Sequence, residues 1–149
     1  MNQQATEFFE AYKKSNGIEE DVKVSAWQFG VDADELADLV VQGKKRGTCS
    51  LYKLYEIDND PLPEVGQYDI VLNSKDEPVV LIQNRKVEIV PMKDVTKEFA
   101  LSEGEGDGTY AYWWNAHVAF FSELVKEYDL TFTTDDLLVC ETFEVVKVR

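Results

Sequence analysis

The chain has 149 residues, 29 of them acidic and 15 basic, for a formal net charge of -14. A field of that sign repels long polyanions and anionic membrane surfaces, which excludes extended nucleic acid and membranes as main partners. A neutral nucleoside, another small ligand or a short RNA carries no such penalty, and homodimerisation stays open.

Three Trp, seven Tyr and eight Phe make the sequence too rich in core formers for a disordered acidic chain. Its length predicts one domain able to bury its own core. The N-terminus has neither a basic nor an apolar leader pattern, and no apolar run reaches the roughly 18 residues of a membrane span. A soluble, cytoplasmic protein is expected. Cys49 and Cys140 lie far apart with a single histidine in the chain, so the sequence predicts reduced thiols and no metal site.

In chain order, residues 6–15 place Phe8, Phe9 and Tyr12 on one helical face and end at Asn16-Gly17. This predicts an N-terminal helix within residues 1–20, ahead of a single domain over 21–149. Residues 19–30 read as a connection carrying Trp27 and Phe29, aromatics that either pin it to the core or line a pocket. Asp32 and Glu35 have capping-box spacing, and Leu36, Leu39 and Val40 repeat at helical spacing, predicting a helix to about Gln42.

Strand patterns follow at residues 49–55, 68–72, 79–83 and 86–90, the last two forming one long or two broken strands. Asp94 is positioned to cap a helix through Ala100. Trp113, His117, Phe120, Phe121 and Leu124 mark a long amphipathic helix, and residues 137–148 alternate as a closing strand. Strands gathered between helices without regular β-α alternation indicate an α+β fold, a small mostly antiparallel barrel or sheet flanked by helices.

Two stretches stand out. Residues 43–48, Gly-Lys-Lys-Arg-Gly-Thr, put two glycines that permit positive φ, three cations and a hydroxyl on one turn. Lys45 and Thr48 are three residues apart, close enough to meet, and a lysine amine can take a hydroxyl proton if its pKa falls from about 10.4 toward 7 or 8. The bland alternative is a solvated basic helix end with Gly43 as its stop. Residues 103–108, Glu-Gly-Glu-Gly-Asp-Gly, begin like a calcium loop, but the twelfth position is Trp114 where a bidentate glutamate is needed. His117 on an apolar helix face and Cys140 in a strand read as packing residues. No dinucleotide or P-loop pattern is present, so no cofactor is expected.

Trp27-Gln28-Phe29-Gly30, Asp34-Glu35-Leu36-Ala37, the G-x-K-x-x-T turn, Pro61-Leu62-Pro63 with Val65-Gly66, residues 99–107, and Trp114, His117 and Phe120-Phe121 together resemble the ASCH domain family over about residues 27–146. The resemblance implies a PUA-like β-barrel flanked by helices, with a pocket between the turn and the acidic element. It implies amidohydrolase chemistry on N(4)-acetylcytidine or a related small amide. Thr48 would be the nucleophile, Lys45 the base, and Glu103 the group that orients the lysine or activates water, with Glu105 as the rival of Glu103. The alternatives are a non-catalytic RNA- or nucleotide-binding module, in which Lys44, Lys45 and Arg46 hold phosphate while Trp27, Phe29 or Trp114 stacks on a base, and a ribonuclease.

Overall fold

A computed structural model describes all 149 residues. The elements are α1 (Gln3–Ser15), β1 (Val24–Trp27), α2 (Ala33–Val41), β2 (Gly47–Leu51), α3 (Tyr52–Ile57), β3 (Tyr68–Leu72), β4 (Pro78–Pro91), α4 (Lys97–Ser102), α5 (Tyr110–Leu124) and β5 (Leu137–Val148). The strands form one five-stranded sheet in the order β1-β3-β4-β5-β2. Strand alternation assigns its two faces. Ile70, Leu72 and Leu81 pack on Ala5 and Phe9 of α1, while their neighbours Val71, Val80 and Ile82 pack on Leu36, Ala37 and Val40 of α2. A third cluster joins Leu51, Leu54, Trp113, Phe121, Leu138 and Cys140 where α3, α4 and α5 cover β2 and the start of β5.

The fold is α+β, and the pairings are mostly antiparallel as expected, with β2–β5, β3–β4 and β4–β5 antiparallel. The sheet is, however, a curled, open half-barrel of mixed direction and not a closed barrel. The mixed direction comes from β1, a strand lying within the connection expected over residues 19–30. It runs parallel to β3, with Val24 opposite Tyr68 and Trp27 opposite Val71. Its four residues follow an acidic stretch and offer too short an alternation to stand out. β1 and β2 are the two edges, and no strand pairing joins them. β4 stays one strand because register breaks at Leu81/Ile82 and Asn84/Lys86 absorb the bend.

Three local expectations are corrected. The strand expected over 49–55 ends at Leu51, and α3 follows with Leu54 turned into the core. Asp32 precedes α2 with a left-handed φ of 45° and makes no side-chain cap. Asp34 instead accepts from the backbone and hydroxyl of Ser74 at 2.8 and 2.7 Å, tying α2 to the β3–β4 turn. Thr96, not Asp94, caps α4 by accepting from the Phe99 N–H at 3.1 Å. No helix is long and apolar enough to cross a membrane.

Candidate active site

The centre of the site is the turn between α2 and β2. Gly43 takes a φ of +76°, and the N–H groups of Lys44 and Lys45 both donate to the Leu39 carbonyl, closing the helix. Gly47 does not adopt positive φ, contrary to the expectation for both glycines. It opens β2, and a Cβ there would lie 2.6 Å from Ser102 Oγ. Arg46 N–H donates to the Ser102 carbonyl at 2.7 Å, and Phe143 N–H donates to the Arg46 carbonyl at 3.0 Å. These bonds hold the turn in an extended form in which Lys44 and Arg46 point outward and Lys45 points inward, 1% exposed.

The acidic stretch meets this turn because of Gly104. At φ +67° its position lies so near Lys44 that an added Cβ would be 2.0 Å from the Lys44 carbonyl oxygen. Only glycine permits that approach, which carries Glu103 and Glu105 to the lysine. Lys45 Nζ donates to Glu103 Oε1 at 3.2 Å and to Glu105 Oε2 at 2.8 Å, and lies 5.2 Å above the Phe29 ring. A further contact reaches the Glu103 carbonyl at 3.4 Å.

Burial pushes the Lys45 ammonium toward the neutral form, but the two carboxylates outweigh it and raise its pKa. The expectation of a depressed lysine pKa is therefore corrected. The adjacent cations Lys44 and Arg46, whose like charge would lower it, are held at the surface.

Glu103, 2% exposed, is ringed by donors. Its Oε2 accepts from Cys49 Sγ at 3.3 Å, from the Trp113 indole N–H, and from His117 Nε2 at 3.2 Å. Burial alone would raise its pKa. The Lys45 charge, the His117 hydrogen bond and charge, and the Trp113 N–H prevail and hold the carboxyl at about 2.

His117 Nδ1 faces the Trp113 carbonyl at 2.7 Å while Nε2 faces the carboxylate. Both partners only accept, so both ring nitrogens must carry protons. The ring is an imidazolium: burial opposes this state, and Glu103 with the backbone carbonyl favours it, raising the pKa. Burial and the Glu103 charge push the Cys49 thiol well above its usual range, so it stays an S–H donor. Cys140, pushed up to about 12 by burial and Glu103, is inert packing, and both thiols are free.

Cys49, Glu103 and His117 also bring potential metal-ligand atoms within 4.8 Å of one another. Sulfur and imidazole both converge on one carboxylate oxygen and not on a common empty point. That is the geometry of donors around an acceptor, and Lys45 already supplies the neighbouring positive charge.

Thr48 stands on β2 opposite Glu141 of β5. It lines a cavity of about 730 Å³ together with Phe29, Lys45, Cys49, Glu103, Glu105 and His117. A second lobe of about 730 Å³ shares Phe29, Thr48, Cys49, Ser50, Tyr55 and Asp60 with the first and adds Trp27, Gln67, Asp69 and Glu141. Thr48 thus sits where the lobes join.

Of the residues singled out from the sequence, Lys45, Glu103 and Glu105 are bonded together, Thr48 and Phe29 line both lobes, and Trp27 lines the second. Lys44, Arg46 and Trp114 line neither lobe. Trp114 packs half-buried beside Tyr110, with ring centroids 6.1 Å apart, which removes it as a base-stacking candidate for this cavity.

Sequence reasoning missed Cys49, Trp113, His117, Asp69 and Glu141 as members of the site. The four-residue spacing of Trp113 and His117 on one helix face was the available signal, and it was read as packing.

The ASCH domain family model matches residues 25–147. An ASCH domain from Lactobacillus crispatus JV V101 superposes with a TM-score of 0.91 at 36% identity, covering 97% of this chain and 95% of that one. A protein from Enterococcus faecalis V583 gives a TM-score of 0.90 at 36% identity, with 99% and 91% covered. Among curated proteins nothing matches the chain. A matched model over most of the sequence and two near-complete superpositions lead to one assignment: the chain belongs to the ASCH domain family.

Proposed function

We propose that the protein hydrolyses a modified nucleoside or related small amide, with N(4)-acetylcytidine as the model substrate. The observation that carries this reading is a buried ammonium, Lys45, held between Glu103 and Glu105 on the wall of the cavity that Thr48 lines. A neutral amide suits an acidic protein, and the cavity is large enough for a nucleoside-sized ligand.

Glu103, with its carboxyl at about 2 and every donor around it engaged, is a fixed counter-charge and not a proton acceptor. Its part is to orient Lys45 and His117. Glu105, with 26% of its side chain exposed and one contact to Lys45 at 2.8 Å, is the carboxylate free to accept a proton. Lys45 then works as a conduit: Thr48 gives its proton to Nζ as Nζ passes one to Glu105 Oε2, leaving the lysine charged throughout.

The Thr48 oxygen attacks the acetyl carbonyl, and the ammonium stabilises the oxyanion that forms. The C–N bond breaks as the proton returns to the leaving nitrogen. Water, deprotonated by the same relay, cleaves the acyl-threonine to acetate and restores the hydroxyl.

The test is hydrolysis of N(4)-acetylcytidine followed chromatographically. Thr48→Ala, which removes only a half-buried hydroxyl and methyl, is expected to keep the fold and lower kcat/KM by at least about 10³, the scale of losing a nucleophile or its activator. Lys45→Ala is expected to lower it as far. Turnover retained by Thr48→Ala would discard the covalent route, and no turnover by folded wild type would discard the hydrolase reading.

A second reading rests on the exposure of Lys44 and Arg46 on the same turn, where they could meet the phosphates of a short RNA. It covers both simple RNA or nucleotide binding and ribonuclease action. It predicts binding that weakens steeply with salt, whereas amide hydrolysis should be nearly indifferent to it.

A further inference from the structure

The second cavity lobe holds one buried and one half-buried acid that the hydrolytic steps above do not use. Asp69 of β3 is 2% exposed and accepts from the Gln67 amide at 3.1 and 3.3 Å. Glu141 of β5 has one oxygen fixed by the Asn84 amide at 2.9 Å, which orients the carboxyl and leaves its other oxygen uncommitted. Trp27 and Phe29 form an aromatic wall, their rings 5.0 Å apart and nearly perpendicular. Ser50 and Tyr55 share a hydrogen bond of 2.7 Å at the junction with the first lobe.

The charge around this lobe is one-sided. Asp60, Glu64, Asp69 and Glu141 line it, against Lys23 as the one cation. A phosphate placed there would meet like charge from most directions. A flat, neutral heterocycle presenting N–H groups would meet acceptors below and an aromatic wall beside it.

We propose that this lobe is the specificity subsite for the heterocycle of the substrate, that the Glu141 carboxyl pairs with an edge carrying a ring nitrogen and an exocyclic N–H, and that the lobe selects the free nucleoside over its 5′-phosphate. The inference rests on the hydrolase reading for the identity of the bond cleaved, but not for the binding itself.

Register supports it. Thr48 and Glu141 are directly opposed on antiparallel strands, which places their Cβ atoms about 5 Å apart on one face. A ring edge paired with Glu141 therefore sets its exocyclic nitrogen beside Thr48, where an acyl group on that nitrogen meets the hydroxyl.

Burial, with Asp69 adding like charge and Asn84 offsetting part of the shift, raises the Glu141 carboxyl to about 7. A protonated carboxyl donates to the ring nitrogen while its carbonyl oxygen accepts the exocyclic N–H, the two-point match an aminopyrimidine edge requires.

The experiment is calorimetric titration of cytidine, and separately of cytidine 5′-monophosphate, into wild type, Glu141→Gln and Glu141→Leu, each checked for fold by its thermal transition. Cytidine is the deacylated product, so binding is read without turnover. Glutamine offers the same donor and acceptor as a protonated glutamate; leucine offers neither.

The expected result is at least about tenfold weaker cytidine binding for Glu141→Leu, near wild-type binding for Glu141→Gln, and at least about tenfold weaker binding of the monophosphate than of cytidine. Equal binding by the leucine variant, a monophosphate as tight as cytidine, or no cytidine binding by wild type would each overturn the subsite. Glu141-dependent binding with no hydrolysis of N(4)-acetylcytidine would overturn the hydrolase reading and leave the subsite standing. Hydrolysis with binding indifferent to Glu141 would do the reverse.

Discussion

Glu103, buried, and Glu141, half-buried, are carboxyls in adjoining lobes of one cavity, and they are driven in opposite directions. Glu103 is held at about 2 by Lys45, His117 and Trp113 against the pull of burial. Glu141, with Asn84 as its main partner and Asp69 nearby, lets burial win and rises to about 7. Burial alone does not set protonation; the count and sign of the partners do. One lobe thus keeps a permanent anion beside two cations, while the other keeps a carboxyl able to donate or accept near neutral pH.

The harshest way to break this contrast is Glu103→Gln. It leaves the Lys45 and His117 charges buried without their common anion, a loss of about 3–5 kcal/mol by the standard of broken buried pairs. Urea unfolding would read it as a lower midpoint at unchanged slope. A loss below about 1 kcal/mol would mean that solvent or Glu105 already neutralises the pair.

Titration sharpens the comparison. The Glu103 pKa is depressed, so its stabilisation is present above about pH 4.5 and is lost as pH falls toward 2; at about 1.36 kcal/mol per unit this amounts to about 3 kcal/mol. The Glu141 pKa is raised, so the sign reverses: its contribution is full below about pH 4.5 and falls away, by a similar amount, as pH rises to about 7. His117, also raised, contributes fully below about pH 6.5 and loses its contribution as pH climbs through its folded value. Stability should peak on the mildly acidic side, and Glu141→Gln should flatten the decline between pH 5 and 8. An unchanged decline in that variant would remove Glu141 as its source.

The smallest expected effect belongs to the cations that the lobes exclude. Lys44→Ala and Arg46→Ala touch exposed side chains outside both cavities, so the urea midpoint and amide turnover should stay at wild-type values. A large drop in turnover from either would bring the basic surface into the reaction and favour a phosphate-bearing substrate.

How far the sequence could be read follows from where each contact partner lies. The turn at 43–48 was legible because its residue types are gathered in six positions, and the acidic stretch because its glycines are dense. Their meeting depends on the Gly104–Lys44 approach, which no local pattern announces. Cys49, Trp113 and His117 each look like packing on their own element, and only the carboxylate they share gives them a polar purpose.

Asp69 and Glu141 were invisible for a related reason: single acids in strands read as solvent-facing until the register places them on a covered face. β1 went unseen because parallel pairing to β3 across about 40 residues leaves no hairpin signal. The long elements α5 and β5 had enough periods to declare themselves.

The open sheet has a measurable consequence of its own. β1 and β2 are edge strands, each with one side that pairs with no further strand, and the second lobe is walled by both of them. A molecule seated there would span the gap that hydrogen bonding leaves unclosed, tethering one rim of the sheet to the other. Deuterium uptake at the amides of residues 24–27 and 47–51 should then slow on ligand binding more than uptake in β4. The rims of the half-barrel would report occupancy while its central strands stay silent.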